Sequence, residues 1–157
     1  MLQIEPMRWF SWDFTVERDG RPIAELDISW WRENGELMVE GVPYAIARKN
    51  VFCSDFTMTA LDGTVVASAR KPSVMTRRFE IEHGGHTSTV LARSMWSRTM
   101  DVLLDGRAAG VIAPRGAWTR RSTADLSDDI PLPVQVFVLW LAVLLWKREQ
   151  DAAVAAS

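Results

Sequence analysis

The densest run of chemically capable side chains lies between residues 70 and 121. Arg70, Lys71, Arg77, Arg78, Arg93, Arg98, Arg107, Arg115, Arg120 and Arg121 stand there against 4 acidic residues. Guanidinium forks grip phosphate and carboxylate oxygens in pairs, so a block made almost wholly of arginine points to the recognition of anions. Trp96 and Trp118 fall within the block, and Trp30 and Trp31 form an adjacent pair upstream. Indoles suit the boundary between lipid headgroups and apolar matter. The expected anionic-ligand patch is therefore Arg70, Lys71, Arg77, Arg78, Arg93, Arg98, Arg115, Arg120 and Arg121, with Trp30, Trp31, Trp96 and Trp118 as aromatic anchors. The competing reading is a solvated wall whose arginines pair with the acidic N-terminal strands. Residues 1–69 hold 6 basic and 11 acidic residues, and residues 122–157 hold 2 and 5. A net charge of −2 and the lack of a recognition motif turn the reading away from nucleic acid.

Other combinations are weaker. His83-Gly84-Gly85-His86 sets two imidazoles across a turn, but structural zinc wants four ligands, so exposed turn histidines are expected. Cys53, in Val51-Phe52-Cys53, reads as a small buried residue. As the 1 cysteine of the chain it excludes an intrachain disulfide or a cysteine cluster. Asp125, Asp128 and Asp129 suggest calcium or helix capping, and capping is the simpler account. Neither Gly-x-Ser-x-Gly, a P-loop, Gly-x-Gly-x-x-Gly nor His-Glu-x-x-His occurs. The expectation is a non-enzyme with no metal and no cofactor.

The elements that must position these residues are mostly strands. Phe14-Thr15-Val16-Glu17-Arg18 leads into Asp19-Gly20, Phe56 to Leu61 into Asp62-Gly63, Phe79 to His83 into Gly84-Gly85, and Met100 to Leu104 into Asp105-Gly106. Such dipeptides favour type I′ turns, whose two central residues both need positive φ. Asn34-Gly35 is a fifth signal of this kind, and five hairpins imply about ten to twelve antiparallel strands. Turns at 19, 62, 84 and 105 are unevenly spaced, which disfavours a fixed-period propeller or solenoid.

Ile130 to Trp146 reads IPLPVQVFVLWLAVLLW and is apolar almost throughout. A helix that is apolar all round belongs in a core or a membrane. An antiparallel sheet this long must curl, and closing it removes its edges. The expected fold is mainly β: a closed antiparallel barrel enclosing one C-terminal hydrophobic helix. With 48% hydrophobic residues and 157 positions, one domain over 1–150 suffices, with strands in 1–123 and the helix at about 130–149. Residues 151–157 are expected to fray. Ser127-Asp128-Asp129 supplies N-cap candidates, and Lys147 and Arg148 are expected to complement the helix C-terminus.

Hairpins built on Asp-Gly turns, followed by PLPVQVFVLWLAVLLW, give Trp9 to Arg148 a pattern that resembles the tubby C-terminal-like superfamily. That superfamily includes the tubby proteins, the phospholipid scramblases and the LURP-one-related proteins. The resemblance implies a twelve-stranded barrel around a central helix. Tubby proteins bind phosphoinositides through basic barrel residues, but that motif does not map here residue by residue. The scramblase cysteine cluster and calcium segment are missing. The functional expectation is a non-catalytic binding or scaffold protein that docks to anionic lipid headgroups through the arginine face, or to a protein partner. A cytoplasmic location, peripheral to the membrane, goes with it, since no secretory signal is visible. The alternative is a protein anchored in the inner membrane by Ile130–Trp146, with a soluble β domain. A lipocalin-like carrier would need the helix outside the barrel.

Overall fold

Alternation of apolar and polar residues forms the strands and decides which face turns inward. Phe14 and Val16, Phe56 and Met58, Phe79 and Ile81, and Met100 and Val102 are buried, while Thr15, Thr57, Glu80 and Asp101 between them lie on the other face. The computed structural model describes residues 1–8, 11–28, 34–49, 54–116 and 119–157. Among these residues the strands are β1 (Leu2–Pro6), β2 (Phe14–Arg18), β3 (Arg21–Ile28), β4 (Gly35–Val39), β5 (Val42–Arg48), β6 (Phe56–Ala60), β7 (Val65–Arg70), β8 (Arg78–His83), β9 (His86–Ala92), β10 (Met100–Leu104), β11 (Arg107–Pro114) and β12 (Ser122–Leu126). The helix α1 follows at Leu132–Ala155. Each strand pairs antiparallel with its sequence neighbours, and β1 closes the barrel on β12 through Leu2–Ala124 and Ile4–Ser122.

The expected barrel around a C-terminal helix is the observed fold. Val134 to Lys147 are all buried inside the strands. That stretch is roughly 20 Å long at ~1.5 Å per residue. Tilted strands of five to eight residues make a wall of about that height. No helix among the described residues is long and apolar enough to cross a membrane. The apolar segment from Val134 to Trp146 fills the barrel, and the carrier arrangement with an outside helix is not the one formed.

Several local expectations are corrected. Asn34-Gly35 is not a hairpin turn: Gly35 opens β4, pairing with Ile28 and Ile46. The turn lies at Glu40-Gly41, with φ of 48° and 79°. Glutamate rarely takes positive φ, so this turn carries no sequence signal. Asp62-Gly63 is not a type I′ turn either. Only Gly63 has positive φ there, Gly63 N–H donates to Ala60 O at 3.0 Å, and a bulge follows at Val66, opposite Met58 and Thr59. Bulges recur in β2–β3 and β10–β11. They leave Ile23, Val66 and Ala109 half-buried against the core, at equal intervals along the chain. Asp19, Asp62 and Asp105 are spaced likewise. Once Glu40 is added, the turns that looked uneven are nearly regular.

The helix ends also differ. Pro131 holds the N-cap position and no side chain caps the helix. Prolines at 131 and 133 remove two of the N–H groups that would need a cap. The Gln135 amide instead donates to Ser127 O at 3.2 Å and Ile130 O at 2.8 Å. At the other end α1 continues to Ala155, past the expected 149, so Lys147 and Arg148 lie inside it. Lys147 pairs with Asp151 one turn on, at 2.8 Å.

Trp140 fixes the seat of the helix. Its indole N–H donates to Asp27 O at 3.0 Å and its ring meets Phe56 edge-on at 5.2 Å. A Cβ on Gly35 would run into Asp27 O and lie 2.6 Å from the Trp140 nitrogen. Gly35→Ala is therefore expected to cost about 2 kcal/mol, a fall of roughly 4–8 °C in melting temperature. Leu141→Asp, which buries an unpaired charge, is expected to abolish cooperative folding by circular dichroism. A folded Leu141→Asp protein would contradict the packing described.

Candidate functional site

The meander gives the barrel two unlike ends. Asp19-Gly20, Glu40-Gly41, Gly84-Gly85 and Asp105-Gly106 make tight turns at one end, where α1 enters. Longer connections, including 71–77 and 93–99, lie at the other, where α1 emerges. All nine residues of the expected patch belong to this loop end. Arg70 closes β7 and Lys71 follows it, Arg77 and Arg78 lead into β8, and Arg93 and Arg98 flank the β9–β10 connection. Arg115, Arg120 and Arg121 flank the connection between β11 and β12. Arg107 stands at the turn end.

Most of these charges meet a carboxylate. Arg70 and Arg78 share Glu80, each at 2.9 Å. Arg115 and Arg121 share Glu5, at 3.0 and 2.8 Å. Each shared carboxylate leaves one positive charge over. Arg93 grips Asp101 at 2.6 Å and Arg77 reaches Glu149 at 2.9 Å. Arg70 chiefly, with Arg78, holds the Glu80 carboxyl below its usual range. Of these partners only Glu5 comes from the acidic N-terminal strands. Exposed pairs of this kind contribute little stability, so their main effect is on the local field.

Arg98 and Arg120 are different. Arg98 donates to Thr119 O at 3.3 Å and lies over the Trp146 ring at 5.5 Å. Arg120 donates to Ser11 O at 2.9 Å and lies over Trp12 at 4.8 Å. Neither has a carboxylate partner among the described residues. Trp146 N–H in turn donates to Arg98 O at 2.9 Å, which ties the emerging helix to the loop.

Of the expected anchors, Trp96 is 89% exposed. Trp30, Trp31 and Trp118 lie outside the described residues, as does Cys53. Pattern reading missed Val74 and Met75, 89% and 91% exposed, and Met95 at 76%. The available signal was their place in loops, where no strand alternation could bury them. Arg77 joins the two loops: Ala92 N–H donates to its carbonyl at 2.9 Å, and its Nη1 donates to Ser97 O at 2.9 Å.

At the turn end the two histidines do not converge on one ligand. His83 is buried, contrary to expectation, because it continues the inward series Phe79, Ile81. Its Nε2 shares a 2.7 Å hydrogen bond with Ser88 Oγ. His86 is exposed and contacts Asp105 at 2.6 Å. The Thr87 amide and His86 hold Asp105 below the usual carboxylate range. Among the described residues no group of His, Cys, Asp or Glu is placed to hold a metal ion. Asp125, Asp128 and Asp129 neither form such a group nor cap α1.

No family model matches the chain, and neither a curated protein nor a solved structure does.

Burial, and then the neighbouring His86, push the His83 imidazole below its ordinary value of 6.5. The unfolded chain then takes up the proton more readily than the folded one. Stability is expected to fall as pH drops below 6.5 and to stop falling once the lowered folded value is passed. Melting curves from about pH 7.5 to about pH 5.5 check this, and His83→Asn is expected to flatten the profile in that window. An unchanged slope in the variant would contradict the assignment.

Proposed function

We propose that the loop end of the barrel docks, without catalysis, onto an anionic phospholipid surface. The observation that carries this reading is the juxtaposition of apolar tips and basic flanks. Val74 and Met75 on one loop and Met95 and Trp96 on the next are almost fully exposed, and Arg77 holds the two loops together. Arg70, Lys71, Arg78, Arg93 and Arg98 flank the two loops along the chain. Each large apolar side chain taken into the headgroup boundary contributes about 1.5–3 kcal/mol. Each basic residue near an anionic surface adds about 1 kcal/mol, within a Debye length. The outer wall carries Glu17, Glu25, Asp27 and Glu36, so contact is peripheral and made by the rim. Cytoplasmic leaflets are the anionic ones, which suits a cytoplasmic protein.

The same proposal includes membership of the tubby-like superfamily. Its support is the closed antiparallel barrel, the Asp-Gly hairpins and the buried C-terminal helix.

Co-sedimentation with vesicles tests the docking. The protein is expected to pellet with phosphatidylcholine mixed with phosphatidylserine, to stay in solution with phosphatidylcholine alone, and to be released by added salt. Met75→Ser with Trp96→Ser is expected to weaken binding about tenfold or more. Equal binding to neutral and acidic vesicles, or binding to neither, would overturn the reading.

A further inference from the structure

A cleft of about 540 Å³ opens at the loop end, between the projecting last turns of α1 and the connections that precede β2, β10 and β12. Arg98 and Arg120 both line it. Arg98 also donates to the carbonyl of Thr119, the residue next to Arg120, so the two guanidinium groups border one space. A guanidinium has five donors, and each of these uses one on a backbone carbonyl. Stacking on Trp146 and Trp12 holds both in place before any ligand arrives, which lowers the ordering cost of binding. The carboxylate that lines the cleft, Glu149, is engaged by Arg77 at 2.9 Å. Two oriented cations therefore face this space without an acidic partner among the described residues.

The walls add an apolar component. Trp12, Phe14 and Ala153 line the same cleft. Its volume falls within the range of small-molecule pockets, roughly 300–1,000 Å³, and exceeds what a bare oxyanion fills. The fitting occupant has an anionic head and an apolar body. We propose that the cleft binds a fatty-acyl carboxylate, its oxygens between Arg98 and Arg120 and its chain along Trp12, Phe14 and Ala153. This site adjoins the docking loops, shares Arg98 with them, and accepts a free ligand with no membrane present.

Isothermal titration of the full chain with decanoate below its micelle concentration tests the site, with decanol and inorganic phosphate as companion probes. Decanoate is expected to bind saturably, and decanol and phosphate each about tenfold more weakly or less. Arg98→Gln and Arg120→Gln are each expected to weaken decanoate about tenfold, while Trp96→Ser leaves it unchanged. Decanol binding as well as decanoate would reduce the cleft to a greasy surface. Phosphate binding as well as decanoate would reduce it to a charge. Either result, or no saturable binding, overturns the proposal. Should the arginine variants unfold, the three probes on the unaltered protein decide alone. Vesicle docking that fails while decanoate binds would overturn the rim reading and leave the cleft standing.

Discussion

A closed sheet of many short strands encloses more space than its own side chains fill, and everything else in this molecule follows from how that space is occupied. The occupant is α1, buried on every side from Val134 to Lys147. The wall makes room for it with small inward residues, Ala24, Gly35, Ala67, Ala69, Ser88, Ser122 and Ala124, set among Phe14, Phe56, Phe79 and Met100. Trp140 meets the wall where Gly35 has nothing to offer but backbone, and its N–H takes the Asp27 carbonyl. Helix and sheet are each unfit for water alone. An all-apolar rod and an open twisted sheet would both aggregate, and each removes the other's exposed surface.

That mutual need is why the architecture was legible. Alternation, Asp-Gly turns and one apolar run are signals spread over the whole chain, and they agree. What was illegible depends on single positions. Glu40 takes positive φ although glutamate does not favour it, because β4 and β5 are already fixed by their outer neighbours β3 and β6. Missing that turn hid the regular spacing. The bulges at Ile23, Val66 and Ala109 insert one residue without leaving a mark in composition. The absence of a side-chain cap was illegible because capping residues stand at Ser127-Asp128-Asp129, while the prolines at 131 and 133 remove donors they would serve.

The site shows the same division. That the arginines from 70 to 121 share one end follows from topology, since every second connection of a meander returns there. Which of them stay unneutralised does not follow. The Glu5–Arg115 and Arg77–Glu149 pairs join residues far apart in sequence, and no local pattern announces them. Trp12 and Trp146 are buried, yet their outer faces are the platforms on which Arg120 and Arg98 rest.

The two ends of the barrel also differ in sign, and the helix runs between them in the matching sense. Asp19, Glu40, Asp62, Asp105, Asp128 and Asp129 cluster where α1 begins, and the arginine-rich connections surround its exit. A helix carries partial positive charge at its start, so the acidic turn end supplies around the start of α1 the complement that its own first turn lacks, while the last turns to Ala155 project past the arginines. The burial that excludes water from the rod also weakens the screening of this arrangement along its length. The result is a molecule whose field has a direction. In the proposed docking the anionic surface repels the turn end and attracts the loop end, which would set orientation before contact. The exposed Val74, Met75, Met95 and Trp96 stand on that loop end.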